Sequence, residues 1–138
     1  FSKHYFQAII STNSSLAKLN TISMQQLAKF PVLLTATSNL EDYNLNKVFQ
    51  TFGADNIQAV NGYGLFTQLI SNNLGVSLTP TLSDYFFLEK VNGITTRPIS
   101  NNIYGYNGYL YNEQHFDNPC IEYFLQELCN YNSKSDKK

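Results

Sequence analysis

Between residues 32 and 80, short apolar runs alternate with helical stripes, and this alternation restricts the fold more than any other feature. Residues 32–34 form a short apolar run after Pro31. Leu45, Val48, Phe49 and Phe52 then recur at i, i+3, i+4 and i+7, one face of a helix that Gly53 closes. Residues 57–60 are the next apolar run, followed by the polar turn 61–64. Leu65, Phe66, Leu69 and Ile70 mark a second amphipathic helix, closed by Asn72, Asn73 and Gly75. Residues 76–78 are the third run, ended by Thr79 and Pro80. Strand, helix, strand, helix, strand is the rhythm of parallel α/β units. Such crossovers are almost always right-handed, so the strand C-terminal ends share one edge of the sheet. Ligands of open α/β sheets bind at that edge. The polar stretches 35–39 and 61–64 both fall there.

The flanking segments read less regularly. Residues 5–10 (YFQAII) have the composition of a buried strand, with polar residues 11–15 behind them. Ser23 and Gln26 are spaced as a capping box, which predicts a short helix over 24–29. Ser38 and Glu41 form a second box ahead of the 40–52 helix. Past Pro80, residues 82–88 suit a short helix and 94–99 an extended crossing segment. Residues 103–111 alternate around Gly105 and Gly108, with Tyr104 and Tyr106 on one face and Tyr109 and Tyr111 on the other. This reads as a half-exposed ribbon that uses aromatic strand propensity, rather than a sugar or nucleobase platform. Asn118 and Pro119 open a last helix with Ile121, Phe124, Leu125 and Leu128 on one face. Residues 132–138 read as a disordered tail.

Charge and composition exclude several classes of function. The 138 residues suffice for one domain, and 9 basic against 10 acidic residues give a net charge of -1. The one basic cluster is Lys134, Lys137 and Lys138, interrupted by Asp136, so a nucleic-acid-binding face is not expected. No apolar run approaches the roughly 20 residues of a membrane span, and no signal-peptide pattern is visible, although the chain begins at Phe1. Cys120 and Cys129 lie nine residues apart. At about 100° per residue a helix sets them on opposite faces and precludes an internal disulfide. Free thiols suit a cytoplasmic protein. His4 and His115 have no metal-spaced partner. There is no Gly-x-Ser-x-Gly elbow and no Walker A loop. Asn61-Gly-Tyr-Gly64 lacks the third glycine of a dinucleotide fingerprint. Glu41 and Asp42 complement a helix dipole, and Cys120 has no base nearby in sequence. The expectation is no enzyme, no cofactor and no metal.

The order of the segments is itself distinctive: Ser14-Ser-Leu-Ala-Lys18, Ile22-Ser-Met-Gln-Gln-Leu27, Phe30-Pro-Val-Leu-Leu34, then VNGYGLFTQLISNNLGVSLTP from Val60 to Pro80, and the closing helix 118–131. This series resembles the effector-binding domain of LysR-type transcription regulators over nearly the whole chain. The resemblance implies an α/β, periplasmic-binding-protein-like sensor with a small effector in an interlobe cleft. Residues 1–88 would be the second lobe, with a parallel or mixed sheet, and 89–131 the returning segment that completes the first. The family's N-terminal helix-turn-helix and the first half of the first lobe have no counterpart here, so DNA contact is expected only through that missing module. The turn at 61–64 departs from the serine-containing turn commoner in the family. The final helix would pack in the family on strands this chain lacks. The expectation is therefore a fragment of a longer polypeptide, whose C-terminal third makes intermolecular contacts or packs differently from the family.

On this resemblance and the edge geometry, a small anionic ligand is expected on Thr35, Ala36, Thr37, Ser38 and Asn39, with Asn61, Gly62, Tyr63 and Thr79 as secondary contacts. Family sensors pair antiparallel as dimers or within tetramers, which puts Tyr43, Lys47, Val48, Ile57 and Ala59 at a dimer interface. The alternative is a solute-binding protein of a transport system with the same architecture, which a secretion signal upstream would mark. An unrelated α/β enzyme is the third reading, and the missing catalytic constellations argue against it.

Overall fold

The first apolar run forms β1, Ser2–Ser11, the middle strand of a sheet. The computed structural model describes residues 2–35, 40–81, 91–107 and 119–135. The chain divides into two compact units, Tyr5–Gly105 and a smaller one of Phe1–His4 with Tyr106–Lys138. Downstream of β1 come α1 (Met24–Leu27), β2 (Val32–Thr35), α2 (Leu40–Thr51), β3 (Ile57–Val60), α3 (Tyr63–Ser71), β4 (Ser77–Pro80), β5 (Ile94–Pro98), β6 (Tyr104–Asn107) and α4 (Pro119–Ser135). The second capping box at Ser38, the 82–88 segment, Tyr109, Tyr111 and Asn118 lie outside the described residues.

Within Tyr5–Gly105 the sheet is mixed. β2 and β3 are parallel, with Val32 opposite Ile57. β4 joins β2 through a parallel bridge, Val32 to Val76, in which Leu33 N donates to Val76 O at 2.9 Å and Val76 N to Pro31 O at 2.8 Å. β2, β3 and β4 are therefore the parallel units that the sequence rhythm predicts. β1 runs against them, paired antiparallel with β4 on one side and β5 on the other. β6 pairs with β1 as well.

Alternation along the strands builds two cores. Phe6, Ala8, Ile10, Val32, Leu34, Val76 and Leu78 face α1 and α2 and pack with Met24, Leu27, Leu45 and Phe49. Ile9, Leu33 and Val60 face the other way and meet Phe66 and Ile70 of α3. Each valine, leucine, isoleucine, methionine or phenylalanine among them contributes about 1.5–3 kcal/mol when fully buried. Ser23 caps α1 as the spacing predicts: its hydroxyl accepts from Gln26 N, and Gln26 returns a bond to Ser23 N. α1 is a single turn and stops at Leu27, short of Lys29. In the smaller unit, α4 begins at Pro119 and runs through Ser135, so residues 132–135 continue the helix where a disordered tail is expected. On its apolar stripe Ile121 and Leu125 are half-buried, while Phe124 is 57% exposed.

Gly75 does not serve as the helix stop that the sequence suggests. Asn73 takes the left-handed conformation after α3, at φ 59°. Gly75 instead lets two strands approach, because a Cβ there would sit 2.5 Å from Leu33 Cγ and 2.9 Å from Pro31 O. Gly75→Ala is expected to destabilise the fold by about 1–3 kcal/mol through overpacking. Gly64→Ala, on α3 with nothing within 4 Å of its Cβ position, is expected to stabilise by about 0.4–1 kcal/mol. Urea unfolding of both variants checks the opposite signs.

Candidate functional site at the strand-end edge

The registers place one row of residues across the sheet near its strand-end edge. Val60 lies opposite Thr35. β2 and β4 meet at the isolated Val32–Val76 bridge, three residues before Thr35 and Thr79 in each strand. Thr79 lies opposite Gln7, and Gln7 opposite Pro98. Residues opposite one another point to the same face, so Thr35, Thr79 and Gln7 share the α3 side of the sheet. All three are half-buried. Since β1 is antiparallel to its neighbours, the first half of β1 stands at the same edge as the ends of β2 to β5.

The chain leaves this row at two helix starts. After Val60 come Asn61, exposed, and Gly62 in the left-handed region at φ 87°. Gly62 is the N-cap of α3 and supplies no side-chain bond, so the first N–H groups of α3 have no cap from it. Tyr63 opens α3 at 45% exposure, its ring tilted against Phe66 at 6.1 Å. Thr67 is buried beneath, its hydroxyl donating to Tyr63 O at 3.1 Å and Gly64 O at 3.0 Å. After Thr35, α2 begins at Leu40.

Of the residues expected to touch a ligand, Thr35 and Thr79 therefore stand on one row, and Asn61, Gly62 and Tyr63 follow its Val60 end. Ala36, Thr37, Ser38 and Asn39 lie outside the described residues. Gln7 is the group that sequence reasoning missed. Its signal was present, as the lone amide in an apolar strand, but nothing local reveals the direction in which β1 runs. Of the expected interface residues, Lys47 and Ala59 are exposed, while Val48 and Ile57 are half-buried and pack against the core. The side chain of Tyr43 lies outside the described residues. Among the described residues no group of His, Cys, Asp and Glu could hold a metal, and no helix is long and apolar enough to cross a membrane.

The Pro98 end of the row is pinned by backbone and side-chain hydrogen bonds. Ile22 N donates to Pro98 O at 2.9 Å, and Met24 N donates to Asn101 Oδ1 at 2.8 Å. Arg97 donates from Nε to Leu19 O at 3.0 Å and from Nη2 to Ala17 O at 2.8 Å. Its Nη1 reaches Thr95 Oγ1 and Thr96 O. One guanidinium thus ties the Ser15–Lys18 turn to β5.

In sequence, neither a protein-family model nor a curated protein matches the chain. Solved structures do match. The effector-binding domain of QuiR in complex with shikimate superposes with a TM-score of 0.68 and 18% identity, over 96% of this chain and 63% of that one. The regulatory domain of MetR, a LysR family regulator from N. meningitidis, gives 0.65 and 17%, over 90% of this chain and 58% of that one. The effector-binding domain of BenM with its effector benzoate gives 0.60 and 16%, over 75% of this chain and 50% of that one. The chain thus has the periplasmic-binding-protein-like α/β fold of LysR effector-binding domains. It spans less than two thirds of each of these structures.

Arg97→Met is expected to lower stability by about 1.5–3 kcal/mol, the range for hydrogen bonds to a charged group, with Arg97→Lys intermediate. Urea unfolding measures both. Equal stability of Arg97→Met and the parent would mean that the guanidinium does not hold the turn.

Proposed function

We propose that this chain is the second lobe, with the returning segment, of the effector-binding domain of a LysR-type transcription regulator. It senses a small anionic metabolite and has no catalytic role. The observation that carries this reading is the polar row Thr35, Thr79 and Gln7, set between two helix starts at the edge where open α/β sheets bind ligands. α2 and α3 each begin just after a strand that ends on this edge. Helix N-termini favour anions through their unsatisfied N–H groups and dipole. Shikimate and benzoate, the ligands of the QuiR and BenM structures, are both carboxylates at neutral pH, and they supply the first probes. Thr35, Ala36, Thr37, Ser38, Asn39, Asn61, Gly62, Tyr63 and Thr79 are the proposed contacts, and Gln7 joins them. On this reading the regulator is cytoplasmic and meets DNA through a helix-turn-helix outside this chain. The stripe of α4 meets first-lobe strands that also lie outside it.

Thermal unfolding with a panel of small carboxylates, shikimate and benzoate included, tests the site. A ligand at a hundred times its Kd adds about 2.7 kcal/mol of stability. Thr35→Val combined with Thr79→Val should abolish that shift while the variant still unfolds in one cooperative transition. A shift that persists in the double variant would move the site elsewhere.

We further propose a homodimer through α2 and β3, with Lys47 and Ala59 outermost and Tyr43, Val48 and Ile57 beside them. Among the described residues β3 pairs with β2 alone, which leaves it an edge strand. Charged residues, lysine above all, blunt such edges. Ala59→Lys should shift sedimentation from dimer to monomer. A parent chain that is monomeric at every concentration, or a variant that dimerises equally, would rule this interface out.

A further inference from the structure

The sheet is hollowed at the end away from the polar row. A cavity of about 540 Å³ opens there, lined by Gln25 and Lys29 at α1, Phe30 beyond it, Phe52 at the end of α2, and Asp55 and Asn56 leading into β3. Its size falls in the roughly 300–1,000 Å³ range of small-molecule sites. None of these residues belongs to the row at the other edge. The four residues of β2 separate the two places, roughly 13 Å at about 3.3 Å per residue.

The lining combines three kinds of chemistry. Phe30 and Phe52 are half-buried against the core and form an apolar wall. The Lys29 ammonium and the Asp55 carboxylate are both exposed and come from different segments. Asn56 accepts at Oδ1 from Gln58 Nε2 at 3.0 Å, which leaves its amide N–H groups as donors. A purely anionic guest would meet repulsion from Asp55, and a purely cationic one repulsion from Lys29. A guest carrying both charges on one apolar body meets a complement at each point. Its ammonium faces the carboxylate, and a cation beside phenyl rings gains further attraction. Its carboxylate faces Lys29 and the Asn56 amide, while its side chain lies on Phe30 and Phe52.

We propose that this cavity binds a free α-amino acid with an apolar or aromatic side chain, at a site separate from the strand-end edge. The probes are L-phenylalanine, phenylacetate, which lacks the ammonium, and phenethylamine, which lacks the carboxylate. Titration of the 138-residue chain followed by amide chemical shifts should show saturable binding of phenylalanine, with a Kd on the order of 1 mM or tighter. Both analogues should bind about two- to fivefold more weakly, since each forfeits a charged contact at an exposed position. Asp55→Asn should weaken phenylalanine and phenethylamine and spare phenylacetate, and Lys29→Gln should do the reverse with the two analogues. Both positions are exposed, so the fold survives either change. Thr35→Val with Thr79→Val should leave phenylalanine binding unchanged, which keeps this site distinct from the edge. Absence of saturable binding, equal binding of the three probes, or loss of binding in the threonine double variant would each overturn the proposal.

Discussion

β1 is hydrogen-bonded along both of its sides, antiparallel to β4 and to β5, and the arrangement of the larger unit depends on that pairing. Ala8, Ile10 and Ser11 are fully buried, and Ile9 is 1% exposed. A one-residue slip would turn every side chain of the strand to the opposite face. Gln7 would then enter the core under α1 and α2, and Ala8 would take its place on the α3 side. Burying an unpartnered amide costs a few kcal/mol, so the register is firmly set. With the register fixed, the first half of β1 arrives beside the ends of four strands that run the other way, and a polar row results.

The two helical layers follow from the same alternation. α1 and α2 cover one face and α3 the other, with Phe49 and Phe66 anchoring opposite sides of a thin sheet. Right-handed crossovers return each helix to the start of the next strand, so helix starts gather at one edge and helix ends at the other. The first edge carries helix starts and threonine hydroxyls, which suits a carboxylate. The second carries helix ends, two phenyl rings and one charge of each sign. Four-residue strands keep these two chemistries close together, on elements that share a core.

Much of this was legible in the sequence, because the informative signals were local. The 3.6-residue stripe at Leu45, Val48, Phe49 and Phe52 gave α2, and Gly53 ends it in the left-handed region at φ 85°. Ser23 and Gln26 gave the capping box. What stayed hidden was non-local. The direction of β1 depends on partners some 70 to 90 residues away, and without it Gln7 could not be put beside Thr79. Gly75 and Asn73 carried interchangeable signals, since either can close a helix, and only the approach of Leu33 to Gly75 tells their roles apart. Val48 was read both as stripe and as interface, and it is half-buried against the core. Thr35 and Thr79 were read as edge residues from chain order alone, and each stands near the end of its strand, β2 or β4.

The central claim is that the strand-end edge of the Tyr5–Gly105 unit receives a small carboxylate. Amide chemical-shift mapping of the 15N-labelled chain, titrated with the carboxylate that stabilises it most, tests that claim residue by residue. The account predicts that Gln7, Thr35, Asn61, Gly62, Tyr63 and Thr79 shift together along one saturation curve. Shifts that spare these amides and gather at Lys29, Phe52 and Asp55, or scatter over the surface without saturating, would contradict it.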